Sequence, residues 1–160
     1  NTLVRPNGGL QIDASTAAEL EHAATEHAKT ADIILMAAAV ADFRPATPET
    51  TKRARTEAWS LELEPTADIL AGLAANRQPN QLIVGFAAED SEDIARARQK
   101  LERKGVDLIV LNDISDATIG FDADDNAVVI VSATDQTRVA RASKRAIAAA
   151  VLDRVESIRS

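Results

Sequence analysis

Two groups of basic residues in this 160-residue sequence have the charge and spacing to bind phosphate. Arg96, Lys100 and Lys104 follow one another at intervals of four residues, so they share one face of the helix predicted over Ser91–Lys104. Lys52 opens the basic run Lys52-Arg53-Ala54-Arg55 in a long polar segment. Lysine offers a point charge and arginine a bidentate fork, and such groups neutralise charge that builds up in phosphoryl or nucleotidyl transfer. A solvated helix face and a solvated loop are the alternative interpretations.

Two apolar runs end in residues suited to contact a nucleotide. Met36-Ala37-Ala38-Ala39-Val40-Ala41-Asp42 combines small side chains, which let a ligand approach the backbone, with a carboxylate for a base amino group, a hydroxyl or a metal. In Gly85-Phe86, one of three phenylalanines follows a glycine, and its ring could stack on a nucleobase. The alternatives are tight core packing with Asp42 as a helix cap, and core filling by Phe86.

Strands and helices alternate among the elements that must position these residues. Asp32–Met36, Gln81–Ala87 and Val106–Leu111 are apolar runs typical of strands buried on both faces of a parallel sheet. A helix is predicted from Thr16, which has capping-box spacing to Glu19. We therefore expect a single α/β domain with a mainly parallel sheet, helices on both faces, and ligands at the carboxyl ends of the strands.

The remaining elements follow from shorter patterns and turn residues. Extended segments are predicted at Thr2–Arg5 and Leu10–Ile12, an edge strand at Ser60–Glu64, and a hairpin of Thr118–Phe121 with Ala127–Ser132. Helices are predicted at Asp68–Ala75, from a cap at Ser91 to a stop at Gly105, and from about Arg138 to Ile158. A long loop is predicted at Ala37–Trp59.

Composition and missing motifs exclude several classes of function. The net charge of −7 argues against a general nucleic-acid binder, and the absence of cysteine excludes disulfides and thiolate metal sites. No apolar run approaches membrane-spanning length, so we expect no membrane association and a cytoplasmic location. No metal site is predicted, because His22 and His27 lack metal spacing and Asp122–Asn126 lacks the glycine and glutamate of an EF-hand. No G-x-G-x-x-G or P-loop is present, and a reductase of the short-chain type is disfavoured because the chain has no tyrosine.

The order of these motifs resembles phosphopantothenoylcysteine synthetase over nearly the whole chain. The residues that carry the resemblance are Ala37–Pro45, the Lys52 cluster, Leu61-Glu62-Leu63, Ala67-Asp68-Ile69-Leu70, Val84–Glu89, Lys100-Leu101, Arg103-Lys104-Gly105, Asp107–Val110, Asn112-Asp113, Gly120-Phe121, Asp125-Asn126 and Ser143-Lys144.

The resemblance implies a Rossmann-like domain that usually forms a homodimer. It also implies an FMN-dependent decarboxylase partner, which is either fused to the domain or a separate protein. It also implies a ligase of coenzyme A biosynthesis that acts on 4′-phosphopantothenate, L-cysteine and CTP, with Mg²⁺ accompanying the triphosphate. The phosphopantothenate carboxylate attacks the α-phosphorus of CTP to give an acyl-cytidylate, and the amine of cysteine then releases CMP.

Family motifs also imply which residues bind CTP and which one is catalytic. Lys52 matches the first lysine of the family's K-x-K-K loop and would stabilise the transition state or the acyl-cytidylate. The implied CTP-binding residues are Met36, Ala37, Ala38, Asp42, Lys52, Ala67, Asp68, Ile69, Leu70, Phe86, Lys100 and Lys104.

The sequence departs from the family pattern in two places. Ala54 and Arg55 replace later lysines of the K-x-K-K loop. The chain also begins at what resembles the second strand of the family, so the first strand and a glycine-rich Asn-Arg-Ser-Ser-Gly-type segment are expected to be missing. These departures leave a second hypothesis open, a non-catalytic Rossmann-like module for nucleotide binding or dimerisation.

Overall fold

The computed structural model describes residues 8–49, 51–52, 59–89, 91–113 and 125–159. The predictions for Thr2–Arg5, Arg53-Ala54-Arg55 and Thr118–Phe121 therefore lie outside the described residues. In chain order the elements are α1 (Ala17–Ala28), β1 (Ile33–Met36), β2 (Phe43–Pro45), β3 (Leu63–Pro65), α2 (Ile69–Ala75), β4 (Leu82–Glu89), α3 (Ile94–Lys104), β5 (Leu108–Asp113), β6 (Asp125–Val131), β7 (Gln136–Ser143) and α4 (Lys144–Arg159).

The main sheet has five strands in the order β1-β4-β5-β6-β7. β1 pairs in parallel with β4, and β4 pairs in parallel with β5. β6 is antiparallel to both of its neighbours, so β1, β4, β5 and β7 all run in the same direction. This mainly parallel sheet confirms the predicted fold class. β2 and β3 form a separate antiparallel pair beyond the end of β1.

Helices cover both faces of the main sheet, as predicted. On one face, α2 and α3 pack through residues such as Leu73 and Leu101 onto Ile83 and Ile109, and α1 packs at the periphery of the same cluster. On the other face, α4 contributes its own apolar stripe to a second cluster. Neighbouring residues of β4 and β5 point to opposite clusters and are almost fully buried, which explains why these strands have continuous apolar sequences.

Helix caps follow local sequence rules. Thr16 Oγ1 accepts from the Glu19 backbone N–H at 3.2 Å, and the Thr16 N–H donates to Glu19 Oε2 at 3.0 Å, which confirms the predicted capping box. The N–H groups of Ser15 and Thr16 lower the pKa of Glu19 by donating to its carboxylate. The predicted α3 cap at Ser91 is wrong, because Asp93 lies directly before the first apolar residue and accepts from the Arg96 N–H at 2.9 Å. Gly105 ends α3 as predicted, with φ of 67°.

The C-terminal prediction is wrong between Arg138 and Ser143. These residues belong to β7, so the last helix begins at Lys144 instead of Arg138. β7 forms a hairpin with β6. The segment contains alanine and arginine, which suit a helix, but pairing with buried β6 outweighs that local preference.

Three further predictions need correction, and all concern β1 and the segment that follows it. The loop predicted over Ala37–Trp59 contains the short strand β2, which pairs with β3; Arg44 Nε donates to Glu64 Oε1 at 2.8 Å across this pair. The predicted strand over Ser60–Glu64 is observed at Leu63–Pro65. β1 was expected to be buried on both faces, but it is an edge strand of the described sheet, and Leu35 is 44% exposed.

Candidate functional site

A cleft of about 370 Å³ opens at the carboxyl ends of β1 and β4. Its walls come from the segment after β1, the start of α2, β4 and one face of α3. The residues that line it are Met36, Ala38, Ala39, Val40, Asp42, Thr66, Ala67, Asp68, Ile69, Leu70, Phe86, Lys100 and Lys104. This is the edge of the sheet at which α/β proteins bind ligands.

The predicted site residues all line this cleft except Ala37 and Lys52. Ala37 lines an adjoining cleft of about 180 Å³, which also contains Phe86 and Asn112. Lys52 is exposed and lies outside the lining. Residues from Met36 to Lys104 along the chain thus meet in one place, although β2, β3, α2 and β4 separate Asp42 from α3.

The segment after β1 is held in place by a residue that the sequence did not single out. The backbone N–H of Thr66 donates to the Asp42 carbonyl at 2.9 Å, and its Oγ1 donates to the Ala41 carbonyl at 2.5 Å. Asp42 is exposed and directly precedes β2, so the alternative interpretation of Asp42 as a helix cap is wrong. Asp42 instead lines the cleft. Ala39 and Val40, which lie in the quoted run, were also not selected as site residues.

Phe86 separates the two adjoining clefts. It lines both of them and is partly buried against the cluster beneath α4, so its ring packs on the core and also faces a cavity. The preceding Gly85 lets α2 approach β4 closely. A Cβ at this position would lie 2.7 Å from Leu70 Cδ2 and 2.9 Å from Ile109 Cδ1. The glycine therefore keeps Leu70 in the cleft wall.

Asp68 and Lys104 form an ion pair within the cleft. Asp68 caps α2 by accepting from the Ala71 N–H at 3.1 Å, and its second oxygen accepts from Lys104 Nζ. Partial burial raises the pKa of Asp68, but the hydrogen bonds from Lys104 and Ala71 outweigh that effect, so the pKa lies below its ordinary value of 3.8. The carboxylate therefore stays ionised and partly neutralises Lys104.

The lowered pKa of Asp68 predicts a loss of stability in acid. A carboxyl group with a depressed pKa stabilises the fold fully above its ordinary value of 3.8, and the contribution disappears as pH falls through the lower pKa of the folded state. Because the side chain is 48% exposed, we expect an effect below about 1 kcal/mol. Asp68→Asn keeps a good N-cap and should flatten the pH dependence of the unfolding free energy below about pH 5. Urea denaturation at several pH values measures this, and identical pH curves for both proteins would contradict it.

Lys100 lies one helical turn before Lys104 on α3 and has a different acidic partner. Its Nζ is 4.0 Å from Oε1 of Glu89, the last residue of β4. Glu89 Oε2 is 3.4 Å from Arg96 Nη1. Glu89 ends the Val84–Glu89 motif, which predicts no role for it.

The chemistry of the cleft suits a ligand with both an anionic and a polar or aromatic part. Two lysines line one wall, Asp42 lines another, and Phe86 offers a ring. Within the described ranges, no group of three or more His, Cys, Asp or Glu side chains is arranged to hold a metal ion. None of the described helices is long and apolar enough to cross a membrane.

The comparisons with known proteins agree on one family. Residues 1–158 match the model of the DNA/pantothenate metabolism flavoprotein C-terminal domain. The coenzyme A biosynthesis bifunctional protein CoaBC of Vibrio cholerae is 36% identical over 153 residues, which are 94% of this chain and 38% of that protein. A cysteine/cysteine sulfinic acid decarboxylase of an unknown prokaryotic organism is 42% identical over 121 residues, which are 75% of this chain and 34% of that protein.

A solved structure extends the match to three dimensions. The crystal structure of the C-terminal domain of CoaBC superposes with a TM-score of 0.78 at 28% identity, covering 98% of this chain and 71% of that chain. The chain spans little more than a third of the length of the curated relatives, 34% and 38% of the two named above. The chain therefore belongs to the family of the DNA/pantothenate metabolism flavoprotein C-terminal domain, which confirms the resemblance carried by its motifs.

Proposed function

We propose that this domain joins 4′-phosphopantothenate to L-cysteine in coenzyme A biosynthesis, as a phosphopantothenate–cysteine ligase that consumes CTP. One observation carries the proposal: the predicted nucleotide-binding residues, apart from Ala37 and Lys52, line one cleft at the carboxyl edge of the sheet. The family match and the bifunctional coenzyme A biosynthesis relatives agree with this reaction class.

The geometry suggests how CTP would lie in the cleft. Lys100 and Lys104 share one face of α3, so a triphosphate laid along that helix would meet two cations in succession. The cytosine base would lie toward Phe86 and Asp42, where a ring and a carboxylate acceptor are available. The small side chains of Ala38 and Ala39 would let the nucleotide approach the backbone after β1.

The proposed reaction has two steps. In the first, a carboxylate oxygen of 4′-phosphopantothenate forms a bond to the α-phosphorus of CTP, and the bond from that phosphorus to the pyrophosphate oxygen breaks. In the second, the amine of cysteine attacks the acyl carbon, loses a proton, and CMP leaves. Lys52 is proposed to stabilise the negative charge of the first transition state or of the acyl-cytidylate.

Mg²⁺ is proposed to accompany the triphosphate. Hard cations of this kind prefer carboxylate and phosphate oxygens and are usually held by one or two carboxylates together with substrate phosphates. Asp42 is assigned to the base and Asp68 is already paired with Lys104, so the phosphate oxygens and water would supply the ligands of the ion. When bound, the ion would neutralise part of the triphosphate charge.

Three further properties are proposed from the family alone. We expect a homodimer, a fused or separate FMN-dependent decarboxylase partner, and a cytoplasmic location. Sedimentation of the purified protein at several concentrations would test the dimer directly.

Pyrophosphate release tests the proposed activity. The protein is mixed with CTP, 4′-phosphopantothenate and Mg²⁺, first without and then with cysteine. Pyrophosphate without cysteine would show the first step, and CMP after cysteine would show the second; CTP should support a faster reaction than ATP. If a longer protein that includes the family's N-terminal segment releases no pyrophosphate, the ligase proposal is wrong and a non-catalytic module is favoured.

A further inference from the structure

Glu89 holds two cations of α3 at the carboxyl end of β4. Its Oε2 is 3.4 Å from Arg96 Nη1 and its Oε1 is 4.0 Å from Lys100 Nζ, so each carboxylate oxygen faces a different cation. The Glu89 side chain is only 19% exposed. Both distances are longer than an ordinary hydrogen bond, so Glu89 acts on Arg96 and Lys100 through charge attraction, which partial burial strengthens.

Lys100 is the member of this group that lines the cleft, whereas Glu89 and Arg96 do not. A lysine side chain has four rotatable bonds and loses rotamer freedom when it is fixed on a ligand. A partly buried carboxylate that restrains the ammonium group beforehand reduces that entropic cost at the moment of binding. Because the Lys100 ammonium group is 4.0 Å from Glu89, its N–H donors remain available to a phosphate.

Lys104, one turn further along, has a different arrangement. Its partner Asp68 lines the cleft itself, so an incoming phosphate and Asp68 compete for the same ammonium group. Glu89 contacts Lys100 from outside the cleft lining, so a phosphate can reach Lys100 without displacing it. The two acidic partners therefore act in opposite ways on neighbouring lysines.

We propose that Glu89 is a positioning residue that fixes Lys100 for the phosphates of the bound nucleotide. This inference rests on the proposed function, because it assigns a role within the same cleft. It predicts that Glu89 strengthens the binding of an anion, although Glu89 itself carries a negative charge.

The sign of this effect separates positioning from simple electrostatics. If Glu89 only lowered the positive potential of the cleft, neutral glutamine at this position would tighten the binding of a triphosphate. If Glu89 positions Lys100, Glu89→Gln weakens binding by about two- to fivefold, the upper part of the range expected for the loss of a partly exposed ion pair. Calorimetry with inorganic tripolyphosphate, and separately with CTP, measures the change.

Glu92→Gln is the matched control. It makes the same chemical change three residues away, on a glutamate whose carboxylate pairs with Arg138 of β7 and does not line the cleft. We expect it to change the dissociation constant of tripolyphosphate by less than about twofold. Glu89→Asp, which keeps the charge and shortens the reach, should weaken binding less than Glu89→Gln and serves as the second variant if the glutamine variant is unfolded in thermal denaturation.

A double-mutant cycle shows whether Glu89 acts through Lys100. Lys100→Met should weaken tripolyphosphate binding, and adding Glu89→Gln to that variant should cause no further loss. Unchanged or tighter binding by Glu89→Gln, additive losses in the double variant, or no binding of tripolyphosphate by the unaltered protein would each overturn the inference.

Tripolyphosphate has no base and takes part in no ligation, so this test is independent of the proposed reaction. Coupling between Glu89 and Lys100 without pyrophosphate release by the longer protein would overturn the proposed ligase and leave the positioning role intact. Pyrophosphate release together with unaltered tripolyphosphate binding by Glu89→Gln would overturn the positioning role and leave the proposed ligase intact.

Discussion

Lys52→Gln is expected to lower the turnover of ligation by at least about a hundredfold, the typical effect of removing one group that stabilises transition-state charge. Lys52 lies outside the cleft lining, so its loss should affect the charge formed during reaction more than the ground-state binding of CTP. The dissociation constant of CTP should therefore change by less than about threefold. Pyrophosphate release gives the turnover, and calorimetry gives the affinity.

Lys29→Gln is the control for this prediction. Lys29 is an exposed lysine at the end of α1, paired with Glu26 at 2.7 Å, and it does not line the cleft. The same loss of charge there should leave turnover unchanged. If Lys52→Gln keeps its turnover, or loses CTP binding and turnover in the same proportion, the catalytic role assigned to Lys52 is wrong.

Lys104→Met is expected to weaken CTP binding by about ten- to a hundredfold. Two effects act in the same direction. The variant loses a charge-assisted hydrogen bond to phosphate, and it leaves the Asp68 carboxylate in the cleft without its Lys104 partner, where it repels the triphosphate. Adding Asp68→Asn to Lys104→Met should recover part of the loss, since asparagine removes the charge and still caps α2. Calorimetry with CTP measures all three proteins.

Arg103→Met provides the matched comparison for Lys104. It removes one positive charge from the same turn of α3, but Arg103 is exposed and does not line the cleft. Its effect on CTP affinity should be under about threefold, because exposed charges are screened. If Arg103→Met weakens binding as much as Lys104→Met, net charge explains the affinity and the proposed contact with Lys104 is contradicted.

The sequence predicted the parts of the fold that depend on local patterns. β4 and β5 were recognisable because residues such as Ile83 and Val110 are buried on opposite faces, which leaves no polar alternation. The capping box at Thr16 and the glycine stop at Gly105 were recognisable because each depends on neighbouring residues alone. The family motifs then located the cleft residues before their proximity was known.

Features that depend on distant contacts were not predicted. Arg138–Ser143 has a composition compatible with a helix, and only its pairing with β6 makes it a strand. β2 is three residues long and is defined by pairing with β3, some twenty residues later. The Asp68–Lys104 pair joins residues 36 apart, so it exists only because α2 packs beside α3. Sequence spacing carries little information about such contacts.

The binding of CTP in the cleft can be tested most directly by titrating ¹⁵N-labelled protein with CTP and Mg²⁺ and following the backbone amides by NMR. Binding there predicts that the largest shifts occur after β1, at the start of α2, in β4 and along the end of α3, and that they saturate together. The residues concerned are Ala38, Ala39, Ala67, Asp68, Phe86, Lys100 and Lys104. Two results would contradict it: no shifts at saturating CTP, or shifts confined to the residues near the amino ends of β4 and β5, around Arg77 and Asp107.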